Sequence, residues 1–324
     1  MRFYNWGLVG AGRISSLFSQ GLGELERARR YAIGSRSVEK GLSFAEQHGF
    51  YKSYGNYAAM LADENVDIVY IGTPHPMHFE NARAAIQAGK HVLCEKPLTM
   101  NAEEARELIS LAGEKGVFFM EAMWTRFQPW VDVVREILDS GKIGRLLHLK
   151  ADLSFRFEVD DDHRIFNKSL GGGALLDLGI YPVSLASFFL GTPDSIQAAA
   201  HMYPTGVDDS TCMIFTYESG AQAELTCSSR FTSKCNAILQ GEYGRIEIPG
   251  MFHRPDRIFL QLENGDSKTI ETPYAGNAYH YQAAAVMNMI DEAKLEHSLM
   301  SWDESLSIMV TMDEVRRQVG LVYP

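Results

Sequence analysis

The sequence predicts an α/β N-terminal half built on a parallel sheet, joined to a C-terminal α+β half with an open, mostly antiparallel sheet. Three observations predict it. Up to about residue 120, short apolar runs alternate with segments whose apolar residues recur at helical spacing. A Gly10-Ala11-Gly12 turn follows the first of those runs. From Ser195 to Thr272, strand-like segments are separated by hairpin signals instead.

Taken in order, Phe3 to Val9, Tyr31 to Ser35, Ile68 to Ile71, His91 to Cys94 and Val117 to Glu121 read as buried strands. Helical patterns lie between them at Val38 to His48, Asn81 to Ala88 and Asn101 to Lys115. Asn101 can cap its helix, with Glu103 and Glu104 adding favourable negative charge to the first turn. This alternation calls for parallel strands with helices on both faces. A helix from Pro129 to Ser140 and a strand from Gly144 to Phe157 follow. The Gly171 to Gly173 turn then leads into an apolar helix from about Ala174 to Leu190.

Turns at Tyr203 to Gly206, Glu218 to Gly220, Gly241 to Gly244 and Glu263 to Asp266 punctuate the second sheet. Two helices end the chain, Tyr279 to His297 and one opened by the capping box Ser301-Trp302-Asp303-Glu304. The predicted domains are residues 1–124 and 125–324, with the last helix packing back on the first.

A chain of 324 residues suits two domains, and 46% hydrophobic with 22% charged residues is ordinary globular composition. A formal charge of −11 argues against a nucleic-acid partner. No apolar run reads as a membrane span, and no basic segment with a long apolar core opens the chain. Cys94, Cys212, Cys227 and Cys235 have no C-x-x-C spacing and read as buried thiols of a reducing compartment, so the expected location is the cytoplasm.

The Gly10 to Ser15 turn, between a strand and a helix, has the form of a pyrophosphate cradle. Gly10 permits the tight turn, Gly12 lets phosphates approach the backbone, and Ser15 keeps the helix close to the strand. Arg13 and Ile14 lie at the helix start, where amides and the helix dipole attract anions. The second strand ends in Gly34-Ser35-Arg36-Ser37, with Lys40 nearby, where an NAD-binding chain tends to place a carboxylate. A hydroxyl and a guanidinium suit a 2′-phosphate, so NADP(H) is preferred over NAD(H). Thr73-Pro74-His75-Pro76-Met77-His78 follows the fourth strand on the same sheet edge and reads as a loop beside the cofactor. Pro76 breaks the helical spacing of His75 and His78, so no metal site is expected.

Glu95-Lys96-Pro97 stands at the next strand end, putting a lysine where the cradle would place the nicotinamide. Asp177 and Tyr181 are four apart, one turn of helix on a shared face. A phenol is protonated at neutral pH, its ordinary pKa being about 10, and can donate to a carbonyl oxygen. An ammonium would stabilise the developing alkoxide.

These motifs, with Gly171-Gly172-Gly173-Ala174-Leu175-Leu176-Asp177-Leu178-Gly179-Ile180-Tyr181, resemble the Gfo/Idh/MocA oxidoreductases. Met120 to Phe127 and Gly206-Val207-Asp208-Asp209 are similar to the dimeric dihydrodiol dehydrogenase, or D-xylose:NADP dehydrogenase, branch. The resemblance implies a Rossmann domain plus an open sheet that often forms a dimer interface, hence a homodimer. It implies that Lys96 and Tyr181 carry the reaction with Asp177 in support, Tyr181 standing where many relatives have histidine. It also implies that Glu95 contributes to cofactor binding, and that Trp124, Arg126 and Tyr281 line the nicotinamide end. Phe155, Arg156 and Arg164 are the substrate candidates. Arg164 is equally placed to pair with Asp160, Asp161 or Asp162.

The expected function is hydride transfer between NADP and a carbonyl or hydroxyl of a sugar, polyol or cyclic diol. A non-catalytic dinucleotide sensor and an NAD-dependent glycosidase of the same fold are the alternatives.

Overall fold

Residues 2–161 and 163–324 are described in a computed structural model. β1 (Tyr4–Val9) is almost wholly buried, as a central parallel strand covered on both faces must be. Around it run β2 (Ala28–Gly34), β3 (Lys52–Tyr54), β4 (Ile68–Ile71), β5 (His91–Cys94) and β6 (Phe119–Glu121), all parallel, in the order β3-β2-β1-β4-β5-β6. The order reverses between β1 and β4, and open sheets of this kind bind ligands at such a switch point.

The connecting helices are α1 (Arg13–Leu22), α2 (Val38–His48), α3 (Tyr57–Leu61), α4 (His78–Gln87) and α5 (Ala102–Lys115). The Asn101 side chain accepts from the Glu104 amide at 2.9 Å, so the expected cap forms. Phe18 of α1 stacks on Tyr70 of β4 with ring centroids 3.8 Å apart, fixing helix to sheet. β3 and α3 were not legible as elements, being three and five residues long. α4 starts at His78, three residues earlier than the pattern indicated.

After α6 (Pro129–Asp139) comes an eight-stranded sheet. Its strands are β7 (Leu146–Ser154), β8 (Ser195–Met202), β9 (Asp208–Thr216), β10 (Gln222–Ser228), β11 (Ala237–Gly241), β12 (Gly244–Ile248), β13 (Arg257–Leu262) and β14 (Ser267–Glu271). Their order is β14-β13-β12-β11-β7-β10-β9-β8, antiparallel except for β7 beside β10. The four turn signals all fall between consecutive strands of this sheet.

Residues of β10 alternate: Ala223, Leu225 and Cys227 are fully buried, whereas Gln222 and Glu224 are exposed. α7 (Ile180–Leu190) packs on the buried face. A Cβ on Gly179 would lie 2.9 Å from Cys227 Sγ, so glycine sets how closely this segment meets the sheet.

The segment ahead of α7 departs from the expected regular helix. Leu175–Gly179 forms a π turn, and the α-helix begins only at Ile180. Pro182 offers a physical reason. It has no N–H and its ring crowds the carbonyl four residues back, which a widened turn accommodates. Two further expectations are corrected. Lys168–Leu190 is long and apolar enough to cross a membrane, although 72% of the window is buried within the protein, as in a core helix. Cys212 is exposed on the sheet, while the other three cysteines are buried.

The predicted helix to His297 is shorter, α8 (Tyr279–Asp291), and Ala293 lies beyond it at φ +54°, outside helical space. In α9 (Trp302–Val319), Ser301 Oγ accepts from the Glu304 amide at 3.2 Å, but the Glu304 carboxylate binds Arg126. Only half of the capping box forms. The chain divides into two compact units, the residues through Phe127 with Ala275–Leu306, and Gln128–Tyr274 with Ser307–Pro324. A single cut after residue 124 therefore misses a return of the chain. α8, not most of α9, rejoins the first unit, where it packs against α1: a Cβ on Gly21 would sit 2.9 Å from the His280 nitrogen.

Candidate active site

In the first unit, Gly10 takes φ +98°, a conformation costly for any side chain. A Cβ on Gly12 would meet nothing nearer than the Gly72 carbonyl oxygen at 3.9 Å, and no side chain caps α1. Space and uncommitted amide direction thus coincide at a helix N-terminus, which fits a pyrophosphate. Close packing behind the cradle explains Ser15 and Gly72. Ser15 is fully buried, and a Cβ on Gly72 would lie 2.5 Å from its Oγ. Arg13 is exposed and Ile14 half-buried at the mouth.

At the end of β2, Ser35 is buried and its Oγ accepts from the Ser37 amide at 3.2 Å. Ser37 caps α2 by accepting from the Lys40 amide at 3.2 Å. Arg36 and Lys40 are exposed. Glu39 is the nearby carboxylate; backbone and Ser37 hydrogen bonds hold its pKa below the ordinary value.

The loop after β4 holds Thr73, Pro74 and His75 beside this edge, and Asn81 Nδ2 donates to Thr73 Oγ1 at 3.2 Å. His78 is different. It is fully buried, with Nδ1 2.8 Å from the Pro97 carbonyl and Nε2 2.9 Å from the Thr73 carbonyl. Its ring is spent on tying two loops together, so it does not face a ligand. Burial pushes its pKa down, against the two carbonyls that favour a charged ring.

Glu95 is also buried; its Oε1 accepts from Tyr70 Oη at 2.5 Å and its Oε2 from the Lys96 amide at 3.3 Å. Lys96 is half-buried at the end of β5, one strand beyond β4. The following turn is anchored by Glu121, whose Oε1 accepts from the Leu98 amide at 3.0 Å. Burial raises the Glu121 pKa to about 7.

Arg126 is tied to the returning chain. It is 4% exposed, donates to the Leu299 carbonyl at 3.0 Å and pairs with Glu304 at 2.5 Å. Its charge is consumed in holding the 275–306 return. Trp124 is buried and stacks on Tyr279 with centroids 4.6 Å apart. Tyr281 Oη accepts from the Ala275 amide at 3.0 Å, so this phenol braces the loop entering α8.

In the second unit, Arg164 Nη2 donates to Asp177 Oδ2 at 2.8 Å. Arg164 therefore chooses Asp177 over Asp160 or Asp161; Asp162 lies outside the described residues. Burial alone would lower the Arg164 pKa, but Asp177 and then Tyr181 outweigh it and hold the guanidinium charged. Among the described residues, Nη1 of Arg164 has no hydrogen-bond partner.

The Tyr181 ring lies 5.7 Å from that of His253, which meets Phe155 edge-on at 6.3 Å. Asp177, Tyr181, Arg164 and Phe155 are thus linked through contacts of one unit. Arg156 is separated from them. Beyond β7, Phe155 N and Phe157 N bond the Ser228 and Ser229 carbonyls, and residues 156 to 159 together border a different cavity.

The glycine run supports this geometry. A Cβ on Gly172 would strike the carbonyls of Arg164 and Ile165 at 2.5 and 2.7 Å. Gly173 takes φ +118° beside Asp208. Asp208 is fully buried, accepts from the Leu175 amide at 2.8 Å and has its pKa raised to about 6 by burial. It thereby fastens the start of the π turn to β9.

Residues 4–123 match the model described as an oxidoreductase family with an NAD-binding Rossmann fold, and residues 131–247 match the GFO/IDH/MocA C-terminal domain. Over 98% of its length the chain is 34% identical to a trans-1,2-dihydrobenzene-1,2-diol dehydrogenase of Xenopus tropicalis, covering 99% of that protein.

The chain belongs to the Gfo/Idh/MocA family.

Another relative is the D-xylose 1-dehydrogenase (NADP(+)) of Hypocrea jecorina, 33% identical over 98% of this chain and 93% of that protein. Among solved structures, the 3-ketoreductase KijD10 of Actinomadura kijaniata with NADP and TDP-benzene is 26% identical, with TM-score 0.88 and 98% of each chain covered. Levoglucosan dehydrogenase with NADH and L-sorbose superposes with TM-score 0.90, covering 99% of this chain and 97% of the other; at 21% identity it bears on the fold alone. This Gfo/Idh/MocA member is an NAD(P)-dependent oxidoreductase, which sets aside the sensor reading.

Sequence reasoning missed His253 as a neighbour of the phenol in this family member. It stands in the loop between β12 and β13, where no motif marks it. Among the described residues, no group of three or more potential metal ligands comes together.

Proposed function

We propose that the protein is an NADP(H)-preferring dehydrogenase or reductase of a sugar, polyol or cyclic diol, with Tyr181 and Lys96 sharing the proton and charge work. The observation that carries this reading is Lys96 at the end of β5, on the sheet edge that also bears the glycine cradle. The names of the relatives, a diol dehydrogenase and a D-xylose dehydrogenase using NADP(+), support the substrate class and the cofactor preference. Arg36 and Lys40, exposed beside the end of β2, would meet a 2′-phosphate. KijD10 has been solved with a lysine changed to alanine and with a tyrosine changed to phenylalanine, the two residue types invoked here.

When bound, the nicotinamide supplies or accepts the hydride. In the reductive direction Tyr181 gives its phenolic proton to the substrate oxygen, and Lys96 stabilises negative charge on that oxygen and on the phenolate. Reversal makes Tyr181 the base. Asp177 keeps Arg164 beside the phenol, and the second guanidinium nitrogen of Arg164 is available to a substrate hydroxyl. The exposed face of the eight-stranded sheet, carrying Ile214 and Phe259, is the surface we assign to a homodimer contact.

The test is NADPH oxidation with a panel of aldoses and diketones. Lys96→Met and Tyr181→Phe should each cut turnover at least about a hundredfold, as expected for a lost transition-state electrostatic contact. Near-normal turnover in either variant would refute the assignment.

A further inference from the structure

The second unit contains a cavity of about 850 Å³ that shares no lining residue with the Asp177, Tyr181, Arg164 and Phe155 group. Its size lies in the range of small-molecule sites. It opens where the parallel strands β7 and β10 run out and the β8–β9 hairpin turns. Arg156, which the sequence placed with the substrate residues, lines it.

We propose that this cavity is a second binding site, for a neutral polyhydroxylated ring of monosaccharide size. Its walls combine apolar faces with both donors and acceptors. Phe157, Phe166 and Tyr203 supply the faces, the last two with ring centroids 4.6 Å apart and tilted by 39°. Asp209 supplies the acceptor. It is only 4% exposed, and its Oδ1 is bound by His201 Nδ1 at 2.8 Å. Its Oδ2 is 3.8 Å from Arg230 Nε, too far for a hydrogen bond, so acceptor capacity is left over.

Arg156 forms no ion pair among the described residues and lines the same space, to which a guanidinium can bring several donors. Charge selects the ligand class. The two arginines face Asp209, Glu158 and Asp161, whose Oδ1 accepts from Tyr203 Oη at 2.7 Å, so a phosphate gains no favourable net field and a cation meets two guanidiniums. Vicinal hydroxyls, each donor and acceptor, match a wall of guanidinium beside carboxylate. The C–H face of a ring matches the aromatic side.

The experiment is equilibrium dialysis of the full chain with labelled D-xylose, alongside saturation-transfer NMR on the same samples. Arg230→Ala and Tyr203→Leu are compared with wild type, their folding checked by thermal melts. Each variant should lose one binding equivalent, with kcat/KM for any turned-over substrate within about twofold of wild type, since neither side chain touches the Tyr181 group. Xylose binding insensitive to both variants, or no binding at all, overturns the inference. Should no sugar be turned over while one Arg230-dependent equivalent remains, the catalytic reading fails and this site stands. Two variants guard against one that does not fold.

Discussion

Replacing Asp177 by Asn and Arg164 by Met, singly and together, tests whether the pair positions the phenol. The structure sets the scale. The bond is charge-assisted at 2.8 Å, with Asp177 13% and Arg164 39% exposed at the side chain. Such a bond contributes about 1.5–3 kcal/mol when buried. The exposure of Arg164 screens part of it, leaving a coupling of about 1–2 kcal/mol. In kinetic terms, Asp177→Asn and Arg164→Met should each lower kcat/KM about tenfold for the favoured substrate. The double variant should be little worse than the poorer single variant, because either change alone already breaks the pair. Steady-state NADPH oxidation, with urea midpoints as a folding control, reads the cycle. Losses that simply add, to within about 0.5 kcal/mol, would refute the coupling and leave Asp177 a bystander.

Two further outcomes follow from the same geometry. Arg36→Ala should raise the KM for NADPH about tenfold or more while leaving NADH within about twofold, since only one cofactor carries the 2′-phosphate; parallel shifts would contradict it. The buried carboxyls make stability depend on pH. Asp208 and Glu121 titrate near their ordinary values of 3.8 and 4.5 when unfolded, but burial raises them to about 6 and about 7 in the fold. The native state therefore holds more protons through that interval, and stability falls as pH rises from about 4 to 7. Asp208→Asn should flatten the lower part of this slope and Glu121→Gln the upper part, measured as urea midpoints against pH. An unchanged slope in both would remove these groups from the account.

Much of this was legible in the sequence, for physical reasons that differ by element. The parallel strands announce themselves because burial on both faces demands unbroken apolar runs, as in Ile68–Ile71. Gly10 of the cradle and the glycines of the 171–173 run are visible because positive φ or close backbone contact there disfavours a side chain. What stayed hidden depends on long-range partners. Periodicity could not reveal that Leu175–Gly179 widens into a π turn, although Pro182 was in view. Nor could it show that the Arg126 charge goes to Glu304, 178 residues away, or that His78 spends both nitrogens on backbone carbonyls. Nor does sequence order show that Arg156 borders one cavity with Tyr203, Asp209 and Arg230, which are distant in the chain.

The most direct measurement is a crystal structure of the enzyme with NADP+ and a bound polyol or diol. Lys96 Nζ and Tyr181 Oη should both lie about 2.6–3.2 Å from one and the same substrate oxygen. An oxygen held by other groups, with either side chain turned into a different cavity, would contradict the account.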